Sequence, residues 1–212
     1  MNYVVTPLQQ GTDEWLAHRL EGFGSTDSSI LMGLNKYESV RNLYLVKSKQ
    51  VQAEFKENAA MAHGTANEDL IRQLFTRATD IEVKPACVVN KTFSFIRSSL
   101  DGLSEDGKII FEAKAPFVFR SHMKNKSDLP EYYYSQVQHH LLAAEGAEKV
   151  YFCSWRADSG LHIQVYYPDL VFIKELVRRM SLFKILVDNK LEFSDNMFSK
   201  FSLEYLFNKC LI

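Results

Sequence analysis

The sequence predicts an α/β protein with a central mixed β-sheet flanked by helices. Three observations predict it. Apolar residues recur at helical spacing early in the chain, with Leu43, Tyr44 and Val46 in one segment and Met61, Ala62, Thr65, Ala66, Leu70, Ile71, Leu74 and Phe75 in the next. Short β-rich runs at 82–89 and 93–100 then feed two strands around a turn at 104–107. A second alternating pair, 149–156 and 161–167, is set apart from the first by a helical stretch from 130 to about 145. The resulting order is helix, helix, helix, three strands, helix, two strands, helix. It is a layered α/β pattern and not an alternating doubly wound one.

The chain has 212 residues, 46% hydrophobic and 24% charged. At that length folding buries roughly 70% of the unfolded chain's surface, so a core forms without staples. No repeat, low-complexity tract or linker interrupts it. The expectation is one domain over 1–212, with N-terminal helices at 12–76, a core at 82–167 and C-terminal helices at 168–212. A net charge of −1 gives no global basic signal, although a basic groove can sit inside a neutral total. Cys87, Cys153 and Cys210 lack CxxC spacing, which argues against a zinc site or a disulfide framework and for thiols in a reducing cytoplasm. The N-terminus carries no basic segment followed by an apolar core, and no apolar run approaches the ~20 residues of a membrane span. These readings predict a soluble, cytoplasmic protein.

Taken in order, Thr12 or Asp13 caps a short helix containing Trp15 and Leu16, with His18 and Arg19 on its last turn. Gly22, Gly24, Ser25 and Thr26 then form a glycine and hydroxyl cluster that opens a second helix. Its free N–H groups, with Arg19 as a forked donor, suit an anion such as phosphate; the plainer alternative is an N-cap beside a surface arginine. Residues 39–50 and 58–76 are helical. Glu68 lies between the polar and apolar faces of the second, and Gly64 would permit close approach of a neighbour. Asn90 and Lys91 turn the chain between the first two strands. The segment with Arg120, His122, Lys124 and Lys126 is basic, a backbone contact for nucleic acid or a solvated loop. Pro130 starts the next helix, where Gln136 and His140 share one face and Gln138 and Leu142 another. That helix reads either as a polar strip facing a site or as a partly exposed amphipathic helix. Residues 170–191 form a long amphipathic helix, and 198–211 is an apolar, helical end segment.

The chemistry concentrates in residues 101–114. Ser104, Glu105, Asp106 and Gly107 are turn residues between apolar runs. On the second strand Ile109, Phe111 and Ala113 face one way, and Ile110, Glu112 and Lys114 the other. Asp101, ending the preceding strand, reaches the same face. Two carboxylates and an ammonium converging beside apolar residues are costly unless something binds there, and carboxylate oxygens suit Mg²⁺ or Mn²⁺. Asp101, Glu112 and Lys114 at this spacing form a pattern for metal-dependent phosphodiester cleavage; a surface charge ladder is the alternative.

Five blocks in register resemble the lambda-exonuclease, or YqaJ-like viral recombinase, family of the PD-(D/E)XK nuclease superfamily. They are Glu14-Trp15 with Arg19 and Gly24-Ser25; Gly64 with Glu68; Ser99-Leu100-Asp101-Gly102; Glu112-Ala113-Lys114; and Tyr134-Ser135-Gln136-Val137-Gln138. The resemblance spans residues 11 to about 167. It implies a restriction-endonuclease-like core and a Mg²⁺-dependent 5′→3′ exonuclease, with Mn²⁺ as a substitute, that degrades linear double-stranded DNA to 3′ overhangs for recombination by strand annealing. It implies that Asp101, Glu112 and the carbonyl of Ala113 hold the metal, that Glu68 supports it and that Lys114 positions the attacking water. Arg19, Ser25, Ser99 and Gln136 would bind the terminal 5′-phosphate. A homotrimeric ring around DNA, a single-strand annealing partner and a phage or prophage origin in a bacterial cell follow from the same resemblance. An endonuclease on the same fold, and an inactive DNA-end-binding accessory protein, are the alternatives. Leu100 stands where the superfamily name has proline.

Overall fold

The computed structural model describes residues 1–52, 58–116 and 129–194. The basic segment at 120–126, the apolar segment at 198–211 and Cys210 lie outside the described residues.

The chain opens with β1 (Tyr3–Thr6), followed by α1 (Asp13–Leu20), α2 (Ser25–Leu31), α3 (Val40–Lys47) and α4 (Ala59–Thr79). Next come β2 (Lys84–Asn90), β3 (Arg97–Leu103), β4 (Ile109–Lys114), α5 (Glu131–Ala143), β5 (Lys149–Arg156), β6 (Gly160–Tyr166) and α6 (Leu170–Asp188). Side chains of Thr12, Ser39, Asn58 and Asp169 cap α1, α3, α4 and α6 by accepting first-turn N–H groups. Two differences from the summarised order are plain: the helix opened by the glycine and hydroxyl cluster is an element of its own, so that four helices precede β2, and β1 was not foreseen. A four-residue strand is too short to show a period. Pairing with β2, Tyr3 opposite Asn90 and Thr6 opposite Cys87, fixes it.

The six strands lie side by side in chain order, antiparallel except for β4 and β5, which are parallel. The sheet is therefore mixed, as expected, and α5 lies in the crossover that the parallel pair requires. Both faces are covered. Val88, Leu100, Ile110, Val150 and Phe152 meet residues of α2, α3, α5 and α6 on one side. Val83, Phe111, Ala113 and Cys153 meet Ile71 and Phe75 of α4 on the other. This is why Ile110 and Phe111, adjacent on β4, are both fully buried.

Helical spacing overstated the buried stripe of α4. Only Ile71 and Phe75 are buried; Met61, in the first turn, is exposed, and so is Leu70, which stands about 100° around the helix from Ile71. Gly64 makes no close approach: a Cβ there would meet nothing within 4 Å. α5 is buried at Ser135 and throughout residues 137–143, so it is not a half-exposed amphipathic helix. Ser28 on α2 and Ser135 on α5, both fully buried, lie 3.0 Å apart through their hydroxyls and let the two helices meet closely.

β3 starts later and ends later than expected, so Asp101 lies inside it. Residues 93–96 leave the ladder because Asn90 Oδ1 accepts the N–H groups of Thr92 (2.8 Å) and Phe93 (2.9 Å). Phe23 then joins this loop, its N–H donating to Phe95 O (2.6 Å) and its carbonyl accepting from Arg97 (3.1 Å). Gly22 is required by this approach, since a Cβ would lie 2.5 Å from Phe95 O. The contact carries residues 19–26 to the start of β3.

Within β3 the register slips. Lys84 pairs with Leu103 and Ala86 with Leu100, two steps on β2 against three on β3, so the extra residue is at Asp101–Gly102. A bulge there bends the strand and re-aims side chains. Pairing between β3 and β4 is confined to Gly102–Phe111 and Leu103–Ile110. Gly102 lies against β2 and β4: an added Cβ would approach Val83 Cγ2 to 2.7 Å and Phe111 Cβ to 3.1 Å. Gly102→Ala is expected to lower stability by about 1–3 kcal/mol in urea unfolding, because neither neighbour is a free side-chain end.

Candidate active site

The alternation read from the sequence holds on β4. Glu112 and Lys114 share the face of Ile110, toward α5, and Glu112 is only 5% exposed. The Lys114 ammonium donates to Glu112 Oε1. His140 Nε2, from α5, lies 3.0 Å from the other oxygen, Oε2. Asp101, at the bulge, turns its carboxylate to accept the Ala113 N–H at 2.8 Å, a side-chain bond between strands whose main-chain pairing ends beside it. Arg72 of α4 donates from Nε to the Asp101 carbonyl at 3.2 Å, tying the bulge to the helix that brings Glu68.

The charges set one another. Burial alone would raise the Glu112 pKa, but Lys114 and then His140 outweigh it and hold the carboxyl at about 2. Burial would lower that of Lys114, but Glu112 and Asp101 raise it well above its usual range, so the ammonium keeps its proton. Asp101 has less compensation: burial and then Glu112 push its carboxyl well up. Glu68 is pushed the same way, by burial and by Glu112, against Lys114. The site therefore holds more carboxylate than its own cations neutralise.

A cavity of about 810 Å³ opens onto these groups. Glu68, Asp101, Glu112, Ala113 and Lys114 line it, and so do Arg19, Ser25, Ser99 and Gln136. These nine residues thus border one space. Trp15 links two of them. Its indole N–H donates to Ser99 Oγ at 2.8 Å, and the Arg19 guanidinium lies 4.5 Å above its ring. Thr26 lines the cavity beside Ser25, so both hydroxyls of the α2 start border it.

Several lining or supporting residues gave little sequence signal. The Lys47 side chain is 7% exposed, and its ammonium bonds Arg19 O (2.9 Å), Gly22 O (2.5 Å) and the Asp27 carboxylate (2.9 Å), fastening the turn between α1 and α2. Tyr133 places its ring 5.5 Å from the Lys114 ammonium. His140 and Ser98 are buried against Glu112 and each other. For His140 alone a signal existed, its position four residues after Gln136.

The Gln-x-Gln pair divides its labour. Gln136 borders the cavity. Gln138 is fully buried, donating to Tyr167 O (3.0 Å) and accepting the Asp169 N–H (2.8 Å), and so locks the junction of β6 and α6. Gln138→Ala is expected to cost about 1–3 kcal/mol in thermal or urea unfolding, since a fully buried amide and its two bonds to the backbone are lost. Gln136→Ala is expected to leave stability within about 0.5 kcal/mol and to weaken binding of duplex ends measured by fluorescence anisotropy.

His139 points away from the cavity carboxylates and bonds Arg97 O through Nε2 at 2.9 Å. Burial lowers its pKa to about 4, against the ordinary value of 6.5. The unfolded chain therefore binds a proton between those pH values that the folded chain refuses. Stability from this residue is complete above about pH 6.5 and falls as pH drops toward 4, by about 3 kcal/mol at most. In His139→Gln the amide keeps the donor and does not titrate. The gap between wild-type and variant stability is expected to change over that window and stay constant above pH 7.

As placed, no three His, Cys, Asp or Glu side chains among the described residues form a ready-made metal-binding group. The donor chemistry nevertheless suits a hard divalent cation. Asp101, Glu112 and Glu68 offer oxygens only, and Lys114 offsets the repulsion at Asp101 and Glu68 only in part. Lys114 would have to release Glu112 Oε1 for that oxygen to serve.

Comparison with known proteins bears on the family and the fold. Residues 14–147 match the family model for the YqaJ-like viral recombinase domain. The Bacillus subtilis (strain 168) protein described as "Uncharacterized protein YqaJ" is 31% identical over 135 residues, which are 63% of this chain and 42% of that one. The chain thus spans less than half the length of that relative. The alkaline exonuclease LHK-Exo from Laribacter hongkongensis superposes with a TM-score of 0.71 at 23% identity, over 94% of this chain and 98% of that one. Its complex with dAMP gives 0.74 at 22% identity, with the same coverage. A phage related exonuclease from Haemophilus somnus 129PT gives 0.63 at 12% identity, over 80% and 95% of the two chains. At these identities the solved structures establish the fold, and the match over most of the sequence establishes the lineage: the chain belongs to the YqaJ-like viral recombinase domain family.

Proposed function

We propose that the protein is a divalent-metal-dependent 5′→3′ exonuclease that degrades linear double-stranded DNA from its ends and leaves 3′ overhangs for strand annealing. The observation that carries this reading is the shared cavity. Glu68, Asp101, Glu112 and Lys114 line it together with Arg19, Ser25, Ser99 and Gln136.

Asp101, Glu112 and the Ala113 carbonyl would hold Mg²⁺, or Mn²⁺ in its place, with Glu68 in support. Such an ion supplies polarisation of the phosphoryl oxygen and stabilisation of the leaving alkoxide. Lys114, its ammonium on Glu112, would orient the attacking water and offset charge in the transition state. Arg19, steadied over Trp15, and the hydroxyls of Ser25 and Ser99 are donors suited to a terminal 5′-phosphate. Gln136 adds an amide beside them. We assign the assembly as a homotrimer around the duplex, working with a single-strand annealing protein.

The test is digestion of linear duplex with 5′-phosphate or 5′-hydroxyl ends, beside closed circles, in Mg²⁺, in Mn²⁺ and with chelator. Faster loss of 5′-phosphorylated strands, intact circles and no reaction in chelator are expected. Nicked or linearised circles would assign an endonuclease instead. Tight end binding without hydrolysis in either metal would assign an accessory protein. Light scattering checks the trimer separately from the chemistry.

A further inference from the structure

We infer that His140 is a positioning residue that fixes the carboxylate of Glu112, and that Ser98 holds the imidazole in place for this. Three elements converge to build the arrangement. Ser98 Oγ on β3 lies 2.6 Å from His140 Nδ1 on α5. His140 Nε2 lies 3.0 Å from Glu112 Oε2 on β4. Their exposures are 3%, 1% and 5%, so water does not substitute for any link in the chain.

The two anchors of Glu112 differ in kind. Lys114 holds Oε1 with a flexible four-carbon stem and can leave. His140 is a planar ring on a buried helix, tied down at its far nitrogen. A serine hydroxyl that donates to Nδ1 leaves the hydrogen on Nε2, the nitrogen that lies 3.0 Å from Glu112 Oε2. The neighbouring His139, bonded to Arg97 O, seats the same turn of α5 on β3. Helix and strands therefore set the direction of one carboxylate oxygen, and the other is free to be exchanged between Lys114 and a cation. The inference rests on the nuclease reading and adds a residue to it.

Two conservative variants separate this role from mere packing. In His140→Gln the amide nitrogen replaces Nε2 and still reaches Glu112. In His140→Asn the amide oxygen takes the place of Nδ1 and still accepts from Ser98, and the contact with Glu112 is lost. Calorimetric Mn²⁺ binding and steady-state cleavage of 5′-phosphorylated duplex are measured for both, with thermal unfolding as a check. His140→Asn is expected to lose about 10–100-fold in Mn²⁺ affinity and in kcat, with KM for DNA unchanged, while His140→Gln stays within a few-fold of wild type. Ser98→Ala, which leaves the histidine intact, is expected to fall between them even if His140→Asn does not fold. ¹⁵N-histidine spectra of the metal-free wild type are expected to show a protonated Nε2.

A bare Nε2, equal losses in folded Asn and Gln variants, or an unaffected Ser98→Ala protein would overturn the inference. Wild type that neither cuts DNA nor binds Mn²⁺ removes the nuclease reading itself. Wild type that does both, matched by His140→Asn, removes only the role of His140.

Discussion

Lys114→Ala is expected to slow cleavage of linear duplex DNA by about 10²–10⁴-fold. The lysine is the largest of the charges that hold the Glu112 carboxyl at about 2, and it is the ammonium placed on that carboxylate within the cavity. Its loss removes the charge that would offset the transition state and leaves Glu112 with His140 alone. Because an uncompensated buried carboxylate also destabilises, the variant is to be compared with Lys114→Met, which restores the apolar stem beside Tyr133 and omits the charge. Both are expected to be slowed to that extent, with Lys114→Met unfolding at the higher temperature. Cleavage near the wild-type rate by either folded variant would dismiss the proposed mechanism.

The largest effect on stability is expected at Phe111. Phe111→Ala should lower the unfolding free energy by about 3–5 kcal/mol, measured in urea. The ring is fully buried and packs 5.0 Å from that of Phe75, the residue through which α4 grips the sheet. The cluster around it is the smaller of the two, with Ile71, Val83, Ala113 and Cys153 as its other main members, so a deleted ring leaves few neighbours able to close the gap. Phe111 also abuts Gly102 at the bulge and precedes Glu112 in the strand. Activity should therefore fall in the fraction that remains folded, and Phe111→Leu should recover most of both losses.

Much of this was determined by sequence alone. The strand alternation placed Glu112 and Lys114 on one face because a period of two leaves no other choice. The turn at 104–107 was legible in its residue types, and Ser104 and Asp106 do bond across it at 2.6 Å. The mixed layer order, the capped helices and the family resemblance were readable in the same way, being local patterns repeated over many residues.

Other features depended on contacts between distant segments. β1 exists because β2 pairs with it. The stripe on α4 is buried only where the sheet lies beneath it, so spacing named Leu70 and Met61 as readily as Ile71 and Phe75. Gln136 and Gln138 look equivalent in sequence, yet the crossover of α5 sends one to the cavity and the other to the β6–α6 junction. The bulge at Asp101–Gly102 left only a glycine as its trace, although it is what turns the aspartate across to Ala113. His140 became a partner of Glu112 only when helix and strand were brought within 3.0 Å. Sequence determined which chemical groups the chain carries and on which face of each element they stand. Tertiary structure decided which of them meet, because burial, repulsion and hydrogen bonding act across space and not along the chain.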